Sequence, residues 1–461
     1  MKFPFYTGRT IFLLAIMVVI SACRRELSID APPNILLIVS DDQRYDSMPY
    51  MPRTMARIFD EGINFEHAYV TTSRCCPSRA SILTGMYAHN HQVILNSDPL
   101  NQSTFVEKLA EAGYFTGLVG KYLNSYPVTP ADPPRPEFDY WIGMISGPNN
   151  ARYFDTELNV NGIWQAHEGY QTFILRDYAL EFLEQAVRQE APFFLLFAPY
   201  APHLPAIPAP GDEALYTDES LPLPPNFNPV DMTGKPGWLQ ALPLLEPDQI
   251  ESTQRDRLHQ LQTLNAFDAA IEDLLNKLES QDELENTVVI YLSDNGLFLG
   301  EHRLPIGKIY VYEESMHVPL AIRYPDLIKE PRTETNVVGN IDLAPTILEL
   351  AGLEPPENMD GRSLVPLMRE HNVTEWREAL LLEGWPINVA YVGNSPPFQA
   401  MHTGRYVYVE TEGDLPELYD LESDPFQLTN EISNPAYGDI LATLQQALAA
   451  ERESILPIPP R

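Results

Sequence analysis

Apolar residues along the chain fall into short unbroken runs separated by longer amphipathic segments. The unbroken runs have the pattern of strands buried on both faces of a sheet, and they are Asn34–Ser40, Phe193–Phe197 and Thr287–Leu292. A shorter strand is indicated at 116–119. Segments with helical periodicity lie at 107–112, 176–188 and 255–281. This alternation predicts an α/β fold with a large, mainly parallel sheet and helices on both faces.

The pattern changes after about residue 370. Residues Arg405–Val409 alternate like a half-buried antiparallel strand, and 437–452 has the pattern of a terminal helix. The proline-rich stretch 202–247 is predicted to be mostly loop. We therefore predict a large domain over residues 31–370 and a small α+β domain over residues 371–461.

The charge composition argues against a nucleic-acid partner and indicates an acidic surface. The 461 residues include 30 basic and 64 acidic side chains, for a formal charge of −34. Nucleic-acid binding is not expected, because phosphate contacts need clustered Lys and Arg. The simplest interpretation of the charge is a solubilising surface. A site for an anion would need a local cluster of cations, and the chain has only seven lysines.

The N-terminus has the pattern of an export signal. Lys2 and Arg9 precede the apolar run Ile11–Ile20, which is too short for a membrane-spanning helix. The next residues, Ile20-Ser21-Ala22-Cys23, resemble a bacterial lipobox, in which the cysteine is lipidated and becomes the new N-terminus. We expect a signal peptide with lipobox over residues 1–23 and a periplasmic or cell-surface protein anchored at Cys23. Ordinary cleavage near Ala22 without lipid is the alternative.

The remaining two cysteines, Cys75 and Cys76, are adjacent. Adjacent cysteines rarely form a disulfide, because the bond needs well-separated and suitably oriented Cα atoms. An exported chain without a disulfide framework must use these cysteines for another purpose.

Acidic residues follow two of the predicted buried strands. Asp41 and Asp42 come after the first, and Asp294 and Asn295 come after the last. In open α/β sheets, ligands bind beyond the carboxyl ends of the strands. Oxygen ligands of this kind suit Ca²⁺ or Mg²⁺ rather than zinc. Helix N-caps are the alternative interpretation of these residues.

The segment Cys75-Cys76-Pro77-Ser78-Arg79 contains the pattern Cys-x-Pro-x-Arg. It resembles the maturation signature of the sulfatase family, in which the first cysteine is oxidised to formylglycine. The continuation through 91 is similar to the glucosamine-6-sulfatase branch. Further segments resembling family blocks lie at Gly113–Asn124, Pro202–Pro205, Asp294–His302, Gly307–Lys308, Tyr312–Glu314, Glu417–Leu421 and Asp424–Pro425.

The resemblance implies an alkaline-phosphatase-like fold and a sulfuric ester hydrolase acting on a sulfated carbohydrate, such as a 6-O-sulfated amino sugar. It also implies a formylglycine-generating enzyme as a partner and Ca²⁺ as a cofactor. The implied Ca²⁺ ligands are Asp41, Asp42, the residue made from Cys75, Asp294 and Asn295. Arg79 and Lys121 are implied as partners of the formylglycine oxygens, and Lys308 and His203 as contacts of the sulfate ester.

This chain departs from the usual sulfatase pattern at two positions. Many sulfatases have a histidine where this chain has Leu123, and His89 or His91 is a candidate to replace it. His317 stands where the family often has arginine, which we interpret as a structural variation.

Two rival functions stay open. One is a phosphodiesterase or phosphonate monoester hydrolase of the same fold. The other is a non-catalytic, lipid-anchored glycan-binding protein.

Overall fold

The computed structural model describes Met1 and residues 32–129, 131–145, 153–217, 221–371, 373–389 and 393–454. The predicted signal peptide and its lipobox cysteine, Cys23, lie outside these residues. No helix in the described ranges has the length and apolar character to cross a bilayer.

Eighteen strands occur within the described residues. They are β1 Asn34–Ser40, β2 Ile63–Phe65, β3 Ala68–Tyr69, β4 Phe115–Gly120, β5 Tyr140–Met144, β6 Glu157–Val160, β7 Ile163–Ala166, β8 Phe193–Ala198, β9 Thr287–Ser293, β10 Leu320–Arg323, β11 Arg332–Glu334, β12 Val338–Gly339, β13 Leu380–Gly384, β14 Ile387–Val389, β15 Gly393–Ser395, β16 Phe398–His402, β17 Tyr406–Thr411 and β18 Glu417–Asp420.

The α-helices of the same ranges vary from single turns to more than thirty residues. They are α1 Pro52–Thr54, α2 Cys75–Thr84, α3 Ala88–His91, α4 Phe105–Glu111, α5 Gln171–Ala186, α6 Gly237–Gln240, α7 Pro247–Ser280, α8 Glu313–Met316, α9 Leu343–Leu350, α10 Val365–Arg369 and α11 Gly438–Ser454.

A ten-stranded sheet organises the larger part of the chain, in the order β11-β2-β10-β9-β1-β8-β4-β5-β6-β7. The central strands β9, β1, β8, β4 and β5 are mutually parallel. Antiparallel pairs flank them through β10 on one side and β6 on the other. The prediction of a large, mainly parallel sheet is confirmed.

Helices cover both faces of this sheet, as the unbroken apolar strands require. Successive side chains of β1 point to opposite faces, so Ile35 and Leu37 belong to one apolar core and Leu36 and Ile38 to another. The first core contains residues of α2, α4 and α9, and the second contains residues of α5 and α7. Every residue of β1 is buried.

Helix α7 is longer than its periodicity predicts. We expected it over 255–281, but it begins at Pro247. Proline suits the first helical turn, where its missing N–H has no intrahelical partner, and the Gln249 side chain accepts a hydrogen bond from Glu246 N at 2.9 Å. These capping contacts begin the helix at the end of the predicted loop, before the segment whose periodicity indicated it.

The C-terminal region contains a four-stranded antiparallel sheet, β13-β16-β17-β18, followed by α11. The alternating segment at Arg405–Val409 corresponds to β17, and the terminal helix lies within two residues of its expected bounds. A small α+β part at the C-terminal end is therefore confirmed. The described residues between 32 and 454 belong to one compact unit, and a boundary at 370/371 stays a prediction.

The close approach of β4 and β8 depends on Gly120, which has φ +124° immediately before Lys121. A Cβ added there would lie 2.1 Å from the carbonyl oxygen of Ala198. The Lys121 N–H donates to the same oxygen at 2.7 Å. A side chain at residue 120 would therefore push β4 and β8 apart next to Lys121.

We expect Gly120→Ala to lower the free energy of unfolding by about 1–3 kcal/mol more than Gly113→Ala does. Gly113 also has a positive φ, but a Cβ there would meet nothing within 4 Å. The control variant Gly113→Ala therefore shows only the cost of placing alanine at a positive φ, roughly 1–2 kcal/mol. Urea denaturation of both variants measures the difference, and equal losses would show that the strand contact is not tight.

Candidate active site

The parallel strands bring the acidic residues to one edge of the sheet. Asp41 and Asp42 follow β1, and Asp294 and Asn295 follow β9, its direct neighbour. The two strand ends are linked, because Asp42 N donates to Asp294 Oδ1 at 3.1 Å. Asp42 adopts φ +63°, which turns the chain sharply after the strand. All four side chains are buried.

Cys75 is the first residue of α2, and its Sγ lies 3.7 Å from Asp41 Oδ1 and 3.8 Å from Asp42 Oδ1. Burial raises the pKa of this thiol to about 12, although Lys121 and Lys308 act to lower it. Both cysteines of the described residues are free and buried. Cys76 lies apart from the acidic cluster, since its Sγ contacts Ser125 Oγ at 3.6 Å.

Arg79, on α2, and Lys121, directly after β4, bind the carboxylates. Arg79 lies one turn after Cys75, and its Nε donates to Asp294 Oδ2 at 2.7 Å while Nη1 donates to the Lys121 carbonyl at 2.8 Å. Lys121 Nζ donates to Asp41 Oδ2 at 2.6 Å. The guanidinium thus fixes the position of the lysine backbone as well as that of a carboxylate.

Lys308 and His203 approach Asp42 from two loops. Lys308 Nζ contacts Asp42 Oδ1 and lies 2.7 Å from Cys75 Sγ. His203 Nε2 lies 3.4 Å from Asp42 Oδ2. The imidazole stacks on Tyr200, with ring centroids 4.5 Å apart. The structure therefore brings every predicted site residue into one cluster.

Charges in this cluster are closely balanced. Burial would raise the pKa of the Asp41 carboxyl, but Lys121, His203 and Arg79 hold it below its usual value. Burial likewise opposes ionisation of Asp42, and Lys308 and His203 hold its pKa low. Asp42 in turn raises the pKa of Lys308 well above its usual value, against the effect of burial. These groups are ionised together because each offsets the desolvation of another.

The same residues fit a hard divalent cation. Asn295 lies at the cluster, because its Nδ2 donates to Asp42 Oδ1 at 2.6 Å, and its buried Oδ1 has no hydrogen-bond partner among the described residues. Atoms of Asp41, Asp42, Cys75 and His203 all lie within 4.8 Å of one another, close enough to share an ion. Three carboxylates and an amide oxygen form a donor set that Ca²⁺ prefers.

Sequence reasoning missed Ser73 and Tyr200. Ser73 Oγ accepts a hydrogen bond from Ile309 N at 3.0 Å and so holds the loop next to Lys308. Ile309 adopts φ +88°, a costly conformation for a β-branched residue. The polar run before Cys75 could have indicated the first residue, and the aromatic ring before the Pro-His-x-Pro segment could have indicated the second.

The candidate replacement histidines do not contact this cluster. His91 has both ring nitrogens occupied, by Ser81 Oγ at 3.0 Å and Val93 N at 3.0 Å. His89 Nδ1 lies 2.8 Å from Glu383 Oε2 in the C-terminal sheet. His317 stacks on Tyr45, which agrees with a structural role.

Comparison with known proteins decides the family. The profile described as Sulfatase matches residues 33–353, well over half of the chain. This chain belongs to the sulfatase family. The profile described as N-sulphoglucosamine sulphohydrolase, C-terminal matches residues 300–454.

Two curated sulfatases and one solved structure illustrate the relationship. The N-acetylglucosamine-6-sulfatase of Homo sapiens is 36% identical over 76% of this chain and 67% of its own length. The extracellular sulfatase SULF-1 homolog of Drosophila melanogaster is 35% identical over 76% of this chain, which spans about a third (33%) of that protein. BT4656, solved with its substrate D-glucosamine-2-N,6-O-disulfate, superposes with a TM-score of 0.80 at 28% identity, over 92% of this chain and 98% of its own. The alkaline-phosphatase-like fold of the sulfatases is thereby confirmed.

We expect Ser73→Ala to lower kcat about two- to tenfold, the equivalent of one hydrogen bond of roughly 0.5–1.5 kcal/mol. Loss of the hydroxyl frees the strained segment at Ile309 and with it the Lys308 amine. Turnover of an aryl sulfate and the melting temperature are measured together. Ser280→Ala, at the exposed end of α7, is the matched control. A drop in melting temperature with unchanged kcat would show that Ser73 supports only the fold.

Proposed function

We propose that this sulfatase hydrolyses the sulfate ester of a sulfated carbohydrate, using Ca²⁺ and a formylglycine made from Cys75. The observation that carries the proposal is the position of Cys75. Its buried Sγ lies within 4 Å of two carboxylates and of the Lys308 amine, and it is the first residue of the family's maturation pattern. When formed, the formylglycine hydrate supplies the nucleophilic oxygen at this position.

The cations of the cluster have distinct roles in this proposal. Lys308 and His203 come from loops over the cluster and contact the sulfate ester, and either can donate a proton to the departing sugar oxygen. Arg79 and Lys121 hold the carboxylates and stabilise the oxygens at position 75. Fixed cations in a water-poor site stabilise the charge that develops on the sulfate oxygens without reorganisation.

Asp41, Asp42, Asp294, Asn295 and residue 75 would hold the Ca²⁺. The three carboxylates are already matched by Arg79, Lys121 and Lys308. A bound divalent cation would therefore give the cluster a net positive charge, suited to an anionic ester. Ca²⁺ supplies Lewis-acid polarisation of a sulfate oxygen. A local excess of positive charge lets a chain of formal charge −34 accept an anion.

The substrate class follows from the relatives. The human relative is named for a 6-sulfated N-acetylglucosamine, and BT4656 has a 6-O-sulfated glucosamine as its substrate. We infer that a 6-O-sulfated amino sugar or a related glycan is the substrate here. A formylglycine-generating enzyme is the partner that this chemistry requires.

The proposal also includes the domain organisation of the chain and its location outside the cytoplasm. Residues 31–370 form the catalytic domain, and 371–461 form a smaller C-terminal domain. The Drosophila relative is named as extracellular, and the N-terminal pattern of this chain agrees with export. Lipid at Cys23 would anchor the enzyme at a membrane surface, where a glycan-degrading enzyme meets its polymer.

We expect Cys75→Ala to abolish hydrolysis of sulfated glucosamine, while Cys76→Ala keeps substantial activity because its thiol points away from the cluster toward Ser125. Kinetics are measured together with the intact mass of the peptide that contains both residues. Formylglycine replaces the thiol with an aldehyde, so only Cys75 should show the corresponding loss of mass.

The opposite ranking of the two variants would show that the other cysteine is the nucleophile precursor. Faster turnover of aryl phosphodiesters than of aryl sulfates would favour the phosphodiesterase. An unmodified Cys75 without turnover of any ester would favour a glycan-binding protein.

We expect Ca²⁺ to raise the melting temperature of protein stripped with a chelator, because a ligand that binds only the folded state stabilises it. Asp41→Asn should abolish the shift and the bound calcium measured by elemental analysis. Asp248→Asn, on the exposed first turn of α7, is the matched control. Preferential retention of zinc when both metals are supplied would contradict an oxygen-only site.

A further inference from the structure

A cavity of about 490 Å³ lies against the C-terminal sheet. Its volume falls within the range of small-molecule sites. The lining combines aromatic, acidic and basic side chains, including His89, Glu383, Trp385, Phe398, Glu412 and Arg452. None of these side chains belongs to the cluster around Cys75, so the proposed reaction leaves the cavity without a role.

The cavity lies beside the candidate active site. Glu383 N donates to the carbonyl oxygen of Thr71 at 2.9 Å, and Thr71 precedes Cys75 by four residues. Four peptide units span at most about 15 Å between Cα atoms. His89 enters the cavity from α3, which follows α2 and its Cys75 after a short turn. The separation between the two places is therefore short enough for an oligosaccharide to span.

Two aromatic side chains give the cavity apolar faces. Phe398 pairs with Gly384 across β13 and β16, and a Cβ at residue 384 would lie 2.3 Å from its ring. The ring therefore packs directly on the backbone of the glycine. Trp385, the next residue, is half-buried. An aromatic face is electron-rich and attracts the slightly positive C–H groups of a pyranose ring.

The polar groups of the cavity are held in fixed positions. The Glu383 carboxylate is 2% exposed and accepts hydrogen bonds from His89 N at 3.1 Å and His89 Nδ1 at 2.8 Å. Arg452 Nη1 lies 2.7 Å from Glu410 Oε2, and its Nε donates to Gln399 Oε1 at 2.6 Å. Preorganised donors and acceptors of this kind suit the hydroxyl groups of a sugar.

Charge decides which sugar fits. Among the described residues that line the cavity, Glu383, Glu410 and Glu412 are acidic and Arg452 carries the one guanidinium. Even with His89 protonated, these described side chains carry an excess of negative charge. A sulfate or carboxylate would be repelled here, whereas a hydroxyl or an ammonium group would be accepted. The cavity thus has the opposite preference to the Cys75 cluster, which is built for an anion.

We propose that this cavity is a subsite for an uncharged or amine-bearing sugar unit of the glycan whose sulfate ester lies at Cys75. The inference rests on the proposed function for its link to catalysis. It means that the enzyme selects the sulfated unit together with a non-anionic neighbour.

Calorimetric titration of the full-length protein tests the subsite with three unsulfated probes. These are N,N′-diacetylchitobiose, its amine form chitobiose, and a disaccharide carrying a uronate. The first two should bind at least about tenfold more tightly than the third, a difference of about 1.4 kcal/mol. Trp385→Ala should weaken that binding at least tenfold. Trp164→Ala, a half-buried tryptophan on the edge strand β7, should leave it unchanged.

Catalysis gives a second measurement. Trp385→Ala should lower kcat/KM for a sulfated oligosaccharide about tenfold more than for a small aryl sulfate, mainly through KM. The subsite would be overturned, even in an active sulfatase, if the uronate probe bound as tightly as the neutral probe. It would also be overturned if Trp385→Ala did not change the binding of the neutral probe. Failure of all sulfate ester hydrolysis, with Trp385-dependent binding of the unsulfated probes intact, would overturn the proposed function and leave the sugar site standing.

Discussion

Mutual neutralisation of buried charges is the constraint on which the catalytic half of the molecule depends. Three carboxylates lie at the end of β1 and β9 with almost no exposure, and an isolated buried carboxylate is very costly. They are tolerated because Arg79, Lys121 and Lys308 each contact at least one of them. These cations come from a helix, a strand end and a loop. Removing one would leave a buried charge unpaired, at a cost of about 3–5 kcal/mol.

The sheet makes this convergence possible. β1, β8, β9 and β4 are parallel neighbours, so the carboxyl ends of β1, β9 and β4 deliver Asp41, Asp294 and Lys121 to one edge, and the loop after β8 brings His203 there. Helix α2, which packs in the first apolar core, adds Cys75 and Arg79. Because Asp41, Asp294 and Lys121 directly follow strands, the sheet itself sets their positions. Lys308 lies on a long loop, and Ser73 holds that loop near the site.

The C-terminal sheet adds selectivity to this framework. It attaches through Glu383, whose backbone binds the segment that leads into Cys75 and whose carboxylate binds His89. Two neighbouring sites of opposite charge preference result, one rich in cations and one rich in carboxylates. A glycan with sulfate on one unit and none on the next would match both.

Local patterns in the sequence determined the central strands, the Cys-x-Pro-x-Arg segment and the acidic strand ends, because each depends on neighbouring residues. β1 has the expected bounds, and β8 and β9 lie within one residue of theirs. The start of α7 was missed by eight residues, since the capping contacts at Glu246 and Pro247 begin the helix before its periodicity becomes visible. Only the tertiary structure decided that Ser73 supports Lys308, that His89 belongs to a C-terminal cavity, and that Phe398 covers Gly384. These contacts join residues far apart in the chain, and no periodicity records which distant side chains will meet when the sheet and helices pack.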